Sequence, residues 1–404
     1  MTSLLHDPAR HEPLLDIAWD EARVRDAIAH VVRRTEARFA QDDGWPMHPR
    51  DISGKDDAPA WPLYHGACGV IWALTHLAAR GAATVSRDYR DAVASLIPRN
   101  RAWLRSFGCT FDASYLMGET AILLLEHRLN GTPATADRLA ALIASNLDNP
   151  TRELMWGSPG TMLAALFLHE CTGDERFATL FRTTARKLWS HLEWSDEHAC
   201  HYFTQDMYGQ RTAYLDAVHG FVATASPLIR GRDLLEAGEW SAWHDCIENT
   251  VLRTATHEGA LVNWRAFLDV PSGGPQKALM QFCHGAPGFV VCLGDMPGNA
   301  LDDLLVGGAE ATWHAGPLTK GPNLCHGTAG NGYAFLKLFR RTGERRWLER
   351  ARAFAMHAIA QMEAEERRVG ELRYSLWTGD PGVALYLHDC IRGDARFPTL
   401  DVLD

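Results

Sequence analysis

The sequence predicts an all-α protein in which seven helix-pair repeats close into an (α/α) toroid with inner and outer helical rings. Three observations carry that expectation. A short glycine-centred loop followed by an apolar helical stretch recurs seven times between Tyr64 and Leu387. A second turn keeps step with it, in Thr172-Gly173-Asp174 and Thr342-Gly343-Glu344, each 16 positions after a leading glycine (Gly157 and Gly327). Beyond these turns lie Phe177–Leu192 and Trp347–Met362, which carry charge on one side only. A helix apolar all round is buried and an amphipathic one faces water, so the repeat supplies one helix to each ring. An open superhelix of helix pairs fits the pairing equally well. It does not explain why the glycine loops carry reactive side chains.

Taken in order, the chain begins with an amphipathic stretch from Ile17 to Ala40, where Val24, Ala27, Ile28, Val31 and Val32 recur at helical spacing. Asp20-Glu21 at its start and Arg33-Arg34 near its end suit the helix dipole. Gln41 to Pro62, rich in Asp, Gly and Pro, reads as a loop. Residues 1–60 are thus expected to pack on a barrel formed by residues 61–404, the whole being one domain. The seven loops lead with Gly66, Gly118, Gly157, Gly220, Gly285, Gly327 and Gly379. Most have a second glycine three residues on. The second loop has Ala121 there, and the fourth reads Phe221-Val222-Ala223, which leaves its shape open. Arg230 to Gln281 is longer than a helix pair needs, and Pro271-Ser272-Gly273-Gly274-Pro275 reads as a mobile loop over a central cavity.

Bulk composition narrows the function classes. Apolar residues make up 46% and charged ones 22%, enough to bury a large core. The net charge of −10, with no basic stripe, argues against a nucleic-acid partner. Nine cysteines, an odd number, follow an N-terminus with no apolar signal core, which points to a reducing, cytoplasmic setting. The longest apolar runs, such as Ala121–Leu125, are far too short for an integral membrane segment.

Chemistry concentrates in two near-identical loops, Cys283-His284-Gly285-Ala286-Pro287-Gly288 and Cys325-His326-Gly327-Thr328-Ala329-Gly330. Zinc takes thiolate and imidazole ligands, and a catalytic site keeps three of them plus an open position. Cys283, Cys325 and His326 are the candidate ligands, with His284 left to orient a loop or support the site. Neighbouring side chains of a strand diverge, so Cys325 and His326 converge only where the backbone turns. His219 holds the same loop register and is a candidate to give or take a proton near pH 7. Glu153, four residues before Gly157, would orient His219 or act as an acid. Lys320 approaches the second Cys-His loop and would hold a carboxylate or an enolate oxygen. His65 shares the register without other support. Cys200-His201 has no following glycine and reads as structural.

These motifs resemble the lanthionine synthetase C (LanC) family, over nearly the whole chain after about residue 60. Gly316 to Asn331, with Lys320, and Arg396-Phe397-Pro398 are closest to its LanC-like, glutathione-adding branch. Ser158-Pro159 departs from that branch, which tends to carry arginine there. The resemblance implies one zinc ion on Cys283, Cys325 and His326, with His219 and Glu153 as the family's loop histidine and acidic residue. It implies addition of a thiol to dehydroalanine or dehydrobutyrine in a dehydrated peptide or protein, forming a thioether. The thiol would be glutathione or, in a lanthionine-forming cyclase, a cysteine of the same peptide. Two rivals remain: a non-catalytic zinc protein that binds glutathione or peptide, and a carbohydrate-active toroid. The latter class works with paired carboxylates, and no convincing pair stands at the loop ends.

Overall fold

The computed structural model describes residues 5–52, 59–269 and 277–403. Helix α1 (Glu21–Arg38) starts at Asp20, whose side chain accepts from the Ala22 and Arg23 amides. Six inner–outer pairs follow. They are α2 (Ala67–Ala79) with α3 (Arg90–Ser106), α4 (Glu119–Asn130) with α5 (Pro133–Ser145), and α6 (Ser158–Thr172) with α7 (Glu175–Trp189). Then come α8 (Phe221–Arg230) with α9 (Ala237–Thr254), α10 (Ala286–Leu293) with α11 (Asp302–Ala315), and α12 (Thr328–Thr342) with α13 (Arg345–Val369). The last inner helix is α14 (Asp380–Arg392).

Inner helices are buried on every side, as Ser158 through Leu168 of α6 illustrate. Outer helices bury one stripe, as in Phe177, Phe181 and Leu188 of α7. Gly173, Gly343 and Gly393 end their helices in the left-handed conformation, which explains the recurring turn. Each inner helix touches the next around the circle, and α14 returns to α2, so the ring is closed. The seventh pair departs from the repeat read in the sequence. Among the described residues no outer helix follows α14; α1 packs beside it and takes that place.

The loops at one end of the ring are stitched together by backbone hydrogen bonds. Tyr64 N donates to Leu116 O, Leu116 N to Met155 O, and Leu154 N to Val218 O. On the other side Cys283 N donates to Cys325 O, Cys325 N to Trp377 O, and Trp377 N to Tyr64 O. Side chains carry the remaining step, from the fourth loop to the fifth. This collar fixes where every loop side chain stands.

Where a loop has its second glycine, that residue lets the inner helix seat under the collar. At Gly160 a Cβ would fall 2.1 Å from Leu154 O and 2.7 Å from Tyr115 Cβ. Gly160→Ala is therefore expected to lower unfolding stability by about 1–3 kcal/mol, as overpacking does; denaturant titration measures it. Ala121 and Ala223 occupy that position in the second and fourth loops, yet α4 and α8 still start directly after Gly118 and Gly220.

Short hairpins interrupt the helices. Between α7 and α8, β1 (Glu193–Ser195) pairs with β2 (Cys200–Tyr202), and β3 (Gln205–Met207) with β4 (Gln210–Thr212). After α9, β5 (Ala255–Glu258) pairs with β6 (Leu261–Trp264), which accounts for part of the long segment before the fifth loop. The loop expected at Pro271–Pro275 lies outside the described residues. Among the described residues, no helix is long and apolar enough to cross a membrane.

Candidate metal centre and acid–base dyad

Position four before each leading glycine sets the local geometry. In the third, fourth and sixth loops it holds Glu153, Asp216 and Asn323, whose side chains accept from backbone amides two or three residues on. Glu153 takes the Met155 and Trp156 amides, Asp216 those of Val218 and His219, and Asn323 that of His326. A carboxylate used this way keeps a second contact for a neighbouring loop. Glu153 Oε2 lies 2.8 Å from His219 Nδ1, and Asp216 Oδ2 lies 2.7 Å from His284 Nδ1. Each carboxylate thus holds the histidine of the following loop, and Asp216–His284 bridges the fourth and fifth. Both carboxylate side chains are fully buried.

Burial works against a charge on His219. The Glu153 hydrogen bond and charge, helped by Asp216 and Cys325, outweigh it and hold the imidazole above its ordinary value. Burial likewise pushes Asp216 up, but contacts with His284 and His219 leave it below the usual carboxylate range. With Nδ1 engaged by Glu153, His219 has Nε2 left for a substrate. Tyr214 and Tyr208 rings flank it at 5.5 and 6.1 Å.

Cys283, Cys325 and His326 offer ligand atoms that lie within 4.8 Å of one another. The fifth loop brings its thiol in through Gly285, the only leading loop glycine with a positive φ (122°). A Cβ there would be 2.2 Å from Leu279 O. Each sulfur has one further donor: Tyr64 Oη at 2.9 Å from Cys325 Sγ, and Gln281 Nε2 at 2.9 Å from Cys283 Sγ. The Cys283 thiol, His326 and Tyr64 hold Cys325 well below the ordinary thiol value, whereas burial pushes Cys283 up. Two buried soft sulfurs and one half-buried imidazole, close-set, are the donor set that suits zinc. None of the nine cysteines is in a disulfide.

Other candidates sit differently. Lys320 is exposed at the rim, and among the described residues its ammonium makes no hydrogen bond or ion pair. Crowding and the Arg10 charge lower its pKa, with both loop sulfurs within electrostatic reach. The N-terminal segment reaches this rim through Thr319 N to Arg10 O and Glu12 N to Pro317 O. His65 packs edge-on to Tyr64 and Trp103, and burial lowers its pKa to about 4. Cys200 is buried on β2, and His201 packs against Trp194, away from the collar.

Asp216, Tyr64 and Gln281 escaped the sequence reading. Asp216 occupies the register of Glu153, four before its glycine, and that signal would have found it. Gln281 stands four before Gly285, in that same register, and meets Cys283 only two residues on. Tyr64 meets its sulfur only through ring closure, which leaves no local signature.

A family model described as lanthionine synthetase C-like protein matches residues 59–402. A zebrafish (Danio rerio) protein, glutathione S-transferase LANCL1, is 33% identical over 154 residues, covering 35% of this chain and 38% of that one. The LanC-like protein GCL1 of Arabidopsis thaliana is 32% identical over 142 residues, 32% of each chain. The matched segments thus span only about a third of the length of those relatives. Among solved structures, nisin cyclase superposes with a TM-score of 0.59 at 16% identity, over 91% of this chain and 93% of its own; the likeness is one of fold.

Proposed function

The chain belongs to the lanthionine synthetase C-like family, and on that premise we propose that it adds a thiol to dehydroalanine or dehydrobutyrine residues of peptides. One observation carries the reading. The Cys283–Cys325–His326 cluster and the Glu153–His219 dyad stand on adjoining loops of one collar.

Cys283, Cys325 and His326 would hold zinc. Bound there, zinc would keep an incoming thiol deprotonated at neutral pH, and thiolate is the nucleophile. Addition forms the sulfur–β-carbon bond and breaks the carbon–carbon double bond, leaving an enolate that takes a proton at its α-carbon. His219 supplies that proton from Nε2, while Glu153 fixes the tautomer by accepting from Nδ1. Lys320 at the rim, with Arg10 and Lys277 in electrostatic reach, suits a carboxylate-bearing thiol or peptide. Glutathione has two carboxylates, and the likeness to a protein named glutathione S-transferase favours it as the thiol.

The test is direct. Incubation with a dehydroalanine peptide and glutathione should give a product one glutathione heavier. A cyclised product from a peptide bearing its own cysteine would point to the cyclase branch, and no thioether from either thiol would refute the proposal.

The dyad also sets a pH dependence. A proton donor must be protonated, so the rate falls as pH rises through its pKa. Glu153 raises that pKa, so Glu153→Gln should move the alkaline limb of the kcat/KM profile to lower pH. An unmoved limb would separate Glu153 from the proton transfer.

A further inference from the structure

We propose that Tyr64 and Gln281 are paired hydrogen-bond donors, one to each ligand sulfur, that keep Cys325 and Cys283 from competing with the substrate thiol for the electrophile. The inference rests on the metal site of the proposed function. A pocket that receives dehydroalanine exposes its own thiolates to alkylation, because any thiolate is a candidate nucleophile. Something must distinguish two resident sulfurs from the incoming one. A hydrogen bond to a thiolate withdraws electron density from it, and this is how groups around a metal site tune its ligands.

Each sulfur has its own donor at the same 2.9 Å separation. Both donors are held in place. Tyr64 bonds through its amide to Leu116 O and through its carbonyl to Trp377 N, and its ring stacks on Trp377 with centroids 5.7 Å apart. Gln281 exchanges backbone hydrogen bonds with His284. Its Oε1 accepts from Arg10 Nη2 at 3.5 Å, which fixes the amide with Nε2 towards the sulfur. Phe in place of Tyr64, or Leu in place of Gln281, would keep most of the packing and lose the donor.

The test uses the cobalt-loaded full chain and the zinc-loaded full chain, as wild type, Tyr64→Phe and Gln281→Leu. In the cobalt form, losing a donor raises the sulfur orbitals, so the sulfur-to-cobalt charge-transfer band should move to longer wavelength in each variant. In the zinc form, dehydroalanine peptide is added without glutathione, and cysteine adducts are mapped by mass spectrometry. Adducts should rise roughly tenfold, the weight of one hydrogen bond to a charged group, at Cys325 in Tyr64→Phe and at Cys283 in Gln281→Leu. Unmoved bands in folded, cobalt-loaded variants, or adducts no more frequent than in wild type, would overturn the inference and leave the proposed function standing. A wild type that takes up no cobalt would overturn both.

Discussion

Replacing His219 with Asn should cut thiol addition by about 10²–10⁴-fold, the usual weight of a positioned proton donor. The asparagine amide can still reach towards the fully buried Glu153 carboxylate, so the substitution avoids leaving that group without a partner. The metal cluster stands on other loops and should keep its ion. Loss of rate with metal content and melting temperature unchanged would isolate the proton transfer. A variant of full activity would show that the α-carbon takes its proton from elsewhere.

Cys325→Ala should have the larger effect. Its sulfur lies at the centre of the cluster, facing Cys283, His326 and the Tyr64 hydroxyl. With one thiolate gone, two ligands remain, fewer than a catalytic zinc site keeps. The variant should purify without zinc and form no thioether with any thiol. It should also lose the stability that ligation lends: at free metal 1,000 times the dissociation constant, linkage gives about 4.1 kcal/mol. Chelation should therefore lower the wild-type melting temperature and leave that of Cys325→Ala where it is. Equal chelator sensitivity in both would place the metal elsewhere.

The repeat was legible because it is local. Glycine loop, apolar helix and Gly-capped turn succeed one another within about forty residues, and each leaves a period in the sequence. The register of Cys283, Cys325, His326, His219 and Glu153 could be read for the same reason. What could not be read depends on closure. The pairing of α1 with α14 joins helices more than 300 residues apart in sequence, and no periodicity announces it. Tyr64 reaches Cys325 across 261 positions of sequence. His284 meets Asp216 across 68 positions, although the register of Asp216 was there to see. The strands of 193–212 are three residues long, too short for an alternating pattern to emerge. Lys320 was placed near the site by its approach to the second Cys-His loop, and its exposed position leaves its role to the proposal above.

Metal analysis of the purified chain tests the proposed metal centre most directly. Two sulfurs and an imidazole that close should retain about one zinc per chain through purification without added metal. Wild-type protein that holds no transition metal, even after incubation with zinc, would contradict it.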